Sequence, residues 1–184
     1  MSSRLRDFAQ HTDKFYAHQY IEVYEALFEP IRNRVKNVLE VGIKDGASHR
    51  MWRDYFDKAN IYGIDVHDFC NGMIGEDRIS VQFCDAYTDD AVAGFGDLRF
   101  DVLVDDGPHS LESFKFFVEK YSSLIADGGI LVIEDVTYAE WIPEIAASVP
   151  DDLKMNSYCI DRRWVPNGSV IHDELMFIID KRFI

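Results

Sequence analysis

The chain has 184 residues, enough for one domain with a sizeable core, and its 47% hydrophobic and 14% aromatic content exclude a disordered polymer. Acidic residues outnumber basic ones 33 to 19, a formal charge of -14 that disfavours a nucleic-acid backbone or an anionic membrane surface as partner. A neutral or cationic small molecule suits this balance, and solubility alone would also account for it.

In chain order, residues 14–29 carry Phe15, Tyr16, Tyr20, Val23, Tyr24, Leu27 and Phe28 at helical spacing, which predicts a helix ended by Pro30. The tyrosines read as core or as the surface of a lid. Thr12 stands where it would cap this helix, and Lys14 is available to pair with a carboxylate. NVLEVG (37–42) reads as a buried strand, and the turn IKDGAS leads into a helix over about 47–57. Strands follow at 60–65 and 79–85, then a short helix at 88–94. FDVLVDD (100–106) is the next strand. Ser110 caps a helix over 111–125 that Asp127-Gly128-Gly129 ends. GILVIED (129–135) is a strand, and 138–148 is helical despite Pro143. The chain closes with strands at 153–160 and 174–180, joined by a polar loop, 161–173. There Arg162, Arg163 and Trp164 either cover a substrate or face solvent.

The β-α alternation predicts a mostly parallel sheet with helices on both faces, and the closing pair of strands predicts one antiparallel insertion. With no repeat or linker, residues 1–184 read as one domain: a helical cover over 1–36 and a core over 37–184. Cys70, Cys84 and Cys159 form no CxxC pair and read as packed thiols. The polar start and the absence of an apolar run of membrane length lead to the expectation of a soluble, cytoplasmic protein.

Two apolar strands end in acids: Asp105-Asp106-Gly107-Pro108-His109 after FDVLV, and Glu134-Asp135 after GILVI. Ligands of open α/β sheets bind outside the carboxyl ends of the strands, and converging carboxylates repel one another unless a cation joins them. The first strand runs into Gly42 and Gly46, where a bare backbone and a helix N-terminus admit a close ligand. The spacing is GxxxG, so the GxGxxG dinucleotide fingerprint is absent. Asp65, 23 residues after Gly42, stands where an acid accepts both ribose hydroxyls. Asp85 ends the third strand, where an adenine edge would lie. Glu40 puts negative charge where a dinucleotide would place its pyrophosphate, which favours a cationic nucleoside such as S-adenosylmethionine (SAM). Each acid taken singly is also an ordinary loop or capping residue.

The strand order, the LEVG turn, Asp65 and the terminal hairpin resemble a class I SAM-dependent methyltransferase. HTDK (11–14), YEALFEPIR (24–32), LEVGIKDGAS (39–48), MWRDYF (51–56), YGID (62–65), DDGPH (105–109) and GGILVIEDV (128–136) resemble the metal-dependent sugar O-methyltransferases of macrolide pathways. Cephalosporin-hydroxylase-like proteins share related pieces. The resemblance implies a Rossmann-like α/β sandwich with a seven-stranded sheet and an antiparallel C-terminal strand. It covers nearly the whole chain but leaves the extra N-terminal domain of the macrolide enzymes without a counterpart, so the catalytic domain alone is expected.

That resemblance implies Asp106, Glu134 and Asp135 as metal ligands and His109 as general base. Thr12, Glu40, Gly42, Ser48, Asp65, Asp85 and Asp105 would face SAM. Hard oxygen ligands suit Mg²⁺, with Mn²⁺ as the substitute, and the lack of a Cys- or His-rich motif argues against zinc. The implied activity is methyl transfer to a hydroxyl of a sugar, glycoside or vicinal diol in natural product biosynthesis, with a homo-oligomer left open. Structural roles compete at each residue: Asp-Gly-Pro is turn chemistry, His109 stands at a helix entry, and Glu134-Asp135 stands before a helix it would cap. A non-catalytic SAM-binding or assembly protein, or a nicotinamide-dependent dehydrogenase, is the alternative function.

Overall fold

Nearly continuous apolar runs, buried on both faces, form the central strands of a seven-stranded sheet in the computed structural model, which describes residues 4–18, 20–68, 73–163 and 175–183. The strands are β1 (Asn37–Val41), β2 (Asn60–Asp65), β3 (Ile79–Phe83), β4 (Phe100–Asp105), β5 (Ile125–Val136), β6 (Ser157–Asp161) and β7 (Leu175–Asp180), in the order β3-β2-β1-β4-β5-β7-β6. β1 to β5 run parallel. β7 is inserted antiparallel between β5 and β6, which is the irregularity the closing strands predicted.

Because successive side chains point to opposite faces of a strand, β1, β4 and β5 feed two cores at once. Val38, Val102, Val104, Ile130 and Val132 face one core; Leu39, Val41, Leu103, Leu131 and Ile133 face the other. The first is covered by α2 (Ile21–Phe28) and α3 (Ala47–Tyr55), with Tyr24, Phe28, Trp52 and Phe56 packed ring to ring. The second is covered by α5 (Leu111–Lys120) and α6 (Ile142–Ser148) through Phe114, Phe117, Val118 and Ile145. Each large apolar side chain so buried stabilises the fold by about 1.5–3 kcal/mol. The short α4 (Asp89–Ala93) is capped by the Thr88 hydroxyl.

Three local expectations change. The single helix over 14–29 is broken into α1 (Asp13–Tyr16) and α2, with the Tyr20 N–H donating to the Lys14 carbonyl across the break. The aromatic spacing runs through the break unaltered, so it gave no warning. The helix over 111–125 ends at Lys120 in a 3-10 turn, Tyr121–Leu124. Asp127-Gly128-Gly129 lies within β5, where the register slips between the Phe100 and Val102 pairings, and so forms an irregularity of the strand rather than a helix stop. Pro143 is tolerated because it falls in the first turn of α6, where its missing N–H has no intrahelical partner.

Candidate functional site: an acidic rim beside a deep cavity

The carboxyl ends of β1, β4 and β5 lie side by side, which brings Glu40, Asp105, Asp106, Glu134 and Asp135 to one rim. Gly42, just past β1, sits at φ +89°, and a Cβ there would overlap the Asp106 carbonyl oxygen. Only glycine meets both demands, so the turn after β1 packs directly on the acidic turn after β4. Its N–H donates to the Ile64 carbonyl, and the Asp106 N–H donates to the Val41 carbonyl at 2.9 Å.

The break between α1 and α2 delivers four polar groups onto this rim. Lys14 Nζ lies 2.6 Å from Asp106 Oδ2 and 3.2 Å from Glu40 Oε1, and it also donates to Glu134 Oε2. Tyr24 OH donates to the other Glu134 oxygen, and Tyr20 OH donates to Asp135 Oδ1 at 2.6 Å. His18 Nδ1 stands 3.5 Å from that same Asp135 oxygen. Lys14 is 1% exposed and Glu134 is 1% exposed, so their pairing is fully desolvated. Removing one partner from such a pair typically costs about 3–5 kcal/mol, so these contacts fasten the N-terminal segment to the sheet.

Burial disfavours a charged Lys14, but Asp106, Glu134 and Glu40 together outweigh it and hold its pKa well above the ordinary value. Burial likewise opposes ionisation of Asp106, yet Lys14 and the His109 hydrogen bond keep it well below the usual carboxylate range. Burial pushes the Glu134 and Asp135 carboxyls up; Lys14 opposes the shift at Glu134, and His18 opposes it at Asp135. Glu40 is wholly buried: its Oε2 accepts from Ser48 Oγ at 2.7 Å and Trp52 Nε1 at 3.1 Å, and lies 3.0 Å from His49 Nδ1. Burial lowers the His49 pKa below its ordinary value.

His109 Nε2 lies 3.3 Å from Asp106 Oδ1 and 3.7 Å from Asp135 Oδ2. Burial opposes protonation of the ring, but the Asp106 hydrogen bond and the charges of Asp135 and Asp106 prevail and raise its pKa. His109 and Asp135 both adopt left-handed backbone, at φ +52° and +55°, a conformation that costs a non-glycine residue about 1–2 kcal/mol. The pair of strained residues aims both side chains at one point. Asp106, His109 and Asp135 each offer a ligand atom, all within 4.8 Å of one another. Two carboxylates with room for waters and substrate oxygens fit the hard, octahedral preference of Mg²⁺. Glu134, the third expected metal ligand, does not join this group, and both its oxygens are engaged by Lys14 and Tyr24.

A cavity of about 1010 Å³ opens beside this cluster, against the roughly 300–1,000 Å³ of small-molecule sites. Thr12, Gly42, Ser48, Asp65, Asp85, Asp106, His109 and Asp135 line it; Glu40, Asp105 and Glu134 lie behind its wall. Asp65 Oδ2 accepts the Ile43 and Lys44 N–H groups at 2.8 and 3.1 Å, and Oδ1 accepts the His67 N–H at 2.9 Å. Burial opposes it, yet these N–H groups hold the Asp65 carboxyl below its ordinary pKa. One lone pair, on Oδ1, remains for a ligand hydroxyl. Asp85 Oδ1 accepts the Tyr87 N–H at 2.9 Å, so it organises its own turn at the cavity edge. The Thr12 side chain caps α1 by accepting the Lys14 N–H.

Asp105 is wholly buried, its Oδ1 taken by Tyr87 OH and the Gly107 N–H and its Oδ2 without a partner among the described residues. Burial pushes its carboxyl up to about 7. It holds the Asp106–Pro108 turn from beneath rather than facing the cavity. Sequence reasoning singled out neither Tyr87 nor His18 and saw the Tyr20/Tyr24 stripe only as core or lid. The i, i+4 spacing of tyrosines after HTDK was the available signal. In the 161–173 loop, Arg162 lies 3.6 Å from Glu22 and Arg163 2.6 Å from Asp161, while Trp164 lies outside the described residues, as does Cys70. Among the described residues no helix is long and apolar enough to cross a membrane.

Residues 39–136 match a family described as a methyltransferase domain. The chain is 29% identical over 155 residues to an 8-demethyl-8-alpha-L-rhamnosyl tetracenomycin-C 2'-O-methyltransferase of Streptomyces olivaceus, covering 78% of this chain and 39% of that protein. It is 31% identical over 135 residues to demethylmacrocin O-methyltransferase of Streptomyces fradiae, covering 67% of this chain and 33% of the relative. The chain thus spans well under half the length of these relatives. The MycE methyltransferase of the mycinamycin biosynthetic pathway, solved with Mg and SAH, superposes with a TM-score of 0.66 at 27% identity, over 79% of this chain and 42% of that one.

Proposed function

The chain belongs to the methyltransferase-domain family, and on that premise we propose that it transfers the methyl group of SAM to a hydroxyl of a sugar or glycoside with the help of a divalent cation. One observation carries the reading: a single cavity runs from Asp65 and Asp85, suited to a nucleoside, to the Asp106–His109–Asp135 cluster, suited to a cation and a proton transfer. The acidic surroundings favour a cationic sulfonium over a pyrophosphate. Relatives that methylate sugar hydroxyls support the acceptor class, and the Mg in the MycE complex supports the cation.

Asp65 would orient the ribose through the remaining lone pair of Oδ1 while its backbone contacts keep the turn after β1 closed. Gly42 would let the backbone approach the methionine portion, with Thr12 and Ser48 alongside. Asp106, Glu134 and Asp135 would hold the cation, which supplies a lower pKa to the acceptor hydroxyl. His109 Nε2 would take the hydroxyl proton as the acceptor oxygen bonds to the methyl carbon and the carbon–sulfur bond breaks, releasing S-adenosylhomocysteine. Placement of the two reactants in line accounts for much of the rate, and the strained backbone at His109 and Asp135 preserves that placement. Residues 1–184 would act as one catalytic unit.

His109→Gln tests the assignment. Loss of a general base lowers turnover by about 10²–10⁴-fold, and SAM binding should be retained. Turnover with a glycoside acceptor at the wild-type rate would remove His109 from the mechanism.

A further inference from the structure

The ammonium of Lys14 holds oxygens of two of the three proposed metal ligands, Asp106 and Glu134, where it stands in the way of a cation that would bind them. Nζ donates to Asp106 Oδ2 and Glu134 Oε2 and lies 3.2 Å from Glu40 Oε1. Tyr24 OH takes the remaining Glu134 oxygen, and His109 faces the remaining Asp106 oxygen at 3.3 Å. With Lys14 in this place, neither Glu134 oxygen is open to an ion, and an incoming divalent cation meets a buried positive charge across Asp106. Lys14 is also 1% exposed, so bulk water does not screen that repulsion.

We propose that Lys14 is a placeholder cation: it neutralises Asp106 and Glu134 and competes with a divalent ion for their oxygens. A cation that takes Glu134 and Asp106 Oδ2 therefore requires Nζ to withdraw. The lysine is well placed to do so, because it stands in a four-residue helix that ends at Tyr16, before the break that separates it from α2. Its neighbours Thr12 and Asp13 line the cavity, and Asp13 is tied to the exposed Lys44 at 3.2 Å. The inference rests on the cation reading above and deepens it by naming the group that sets cation affinity.

The test is Mn²⁺ binding by electron paramagnetic resonance, with wild type and Lys14→Met titrated as the full chain. The competition predicts at least about tenfold tighter Mn²⁺ binding by the variant, with a thermal midpoint that falls in chelator and recovers on adding Mn²⁺. Equal or weaker Mn²⁺ binding by folded Lys14→Met, with wild type still binding, would overturn the placeholder role and leave the cation reading standing. Absence of binding by both proteins would overturn the cation reading and the placeholder with it. Should the variant not fold, crystal structures of wild type with and without Mn²⁺ decide: Nζ leaving Asp106 and Glu134 on loading supports the role, and Nζ bonded to both beside a bound ion refutes it.

Discussion

Replacing Asp105 by asparagine should remove a pH-dependent loss of stability that this one carboxyl imposes. Burial raises its pKa from the ordinary 3.8 to about 7, with the Tyr87 hydroxyl and Gly107 N–H only partly opposing the shift. In the unfolded chain the carboxyl ionises near 3.8; in the folded chain it stays protonated until about 7. The group's contribution is therefore full below pH 3.8, falls as pH rises between those values, and is constant above them. At about 1.4 kcal/mol per pH unit, the interval amounts to on the order of 4 kcal/mol. The Asp105→Asn side chain would keep an acceptor for Tyr87 and Gly107 but has no proton to lose. Urea unfolding of both proteins in chelator, at intervals from about pH 4 to about pH 8, reads the effect as the difference between two stability curves. That difference should move in favour of Asp105→Asn as pH rises and level off near the top of that range. Parallel curves would refute the assignment of a buried, neutral Asp105.

Three further substitutions test the framework. Gly42→Ala forces a left-handed residue against the Asp106 carbonyl and should destabilise by at least about 2 kcal/mol in urea while abolishing the heat of SAM binding; near-normal values for both would mean that the two turns do not depend on each other. Ser110→Ala removes the cap of α5 and should cost about 1 kcal/mol in urea; an unaltered unfolding midpoint would show that the cap adds nothing. Tyr24→Phe strips a donor from the buried Glu134 and should cost about 1–3 kcal/mol in chelator; an unaltered unfolding midpoint would show that the bond adds nothing.

The strands were legible because each is a short apolar run ended by an acid, glycine or turn residue, and the alternation that feeds two cores is a local property of the chain. The place of Asp65, Asp85, Asp106 and His109 on the cavity wall was legible for the same reason: a position at a strand's carboxyl end needs only the strand to be found. What escaped depends on distance. Lys14 meets Asp106 and Glu134 across 92 and 120 residues, and no periodicity encodes which carboxylates a lysine will reach. Glu40 read as facing a ligand because it precedes the glycine turn, yet side-chain alternation turns it inward to Ser48, His49 and Trp52 while Val41 faces the opposite core. Asp127-Gly128-Gly129 carries a helix-stop composition, and the pairing with β4 turns it into a strand irregularity.

Isothermal titration calorimetry with SAM, and with NAD for comparison, each in Mg²⁺ and after chelation, tests the central claim most directly. Saturable one-to-one SAM binding with no NAD binding is the expected result. No SAM binding under either condition, or stoichiometric NAD binding, would contradict the methyltransferase reading.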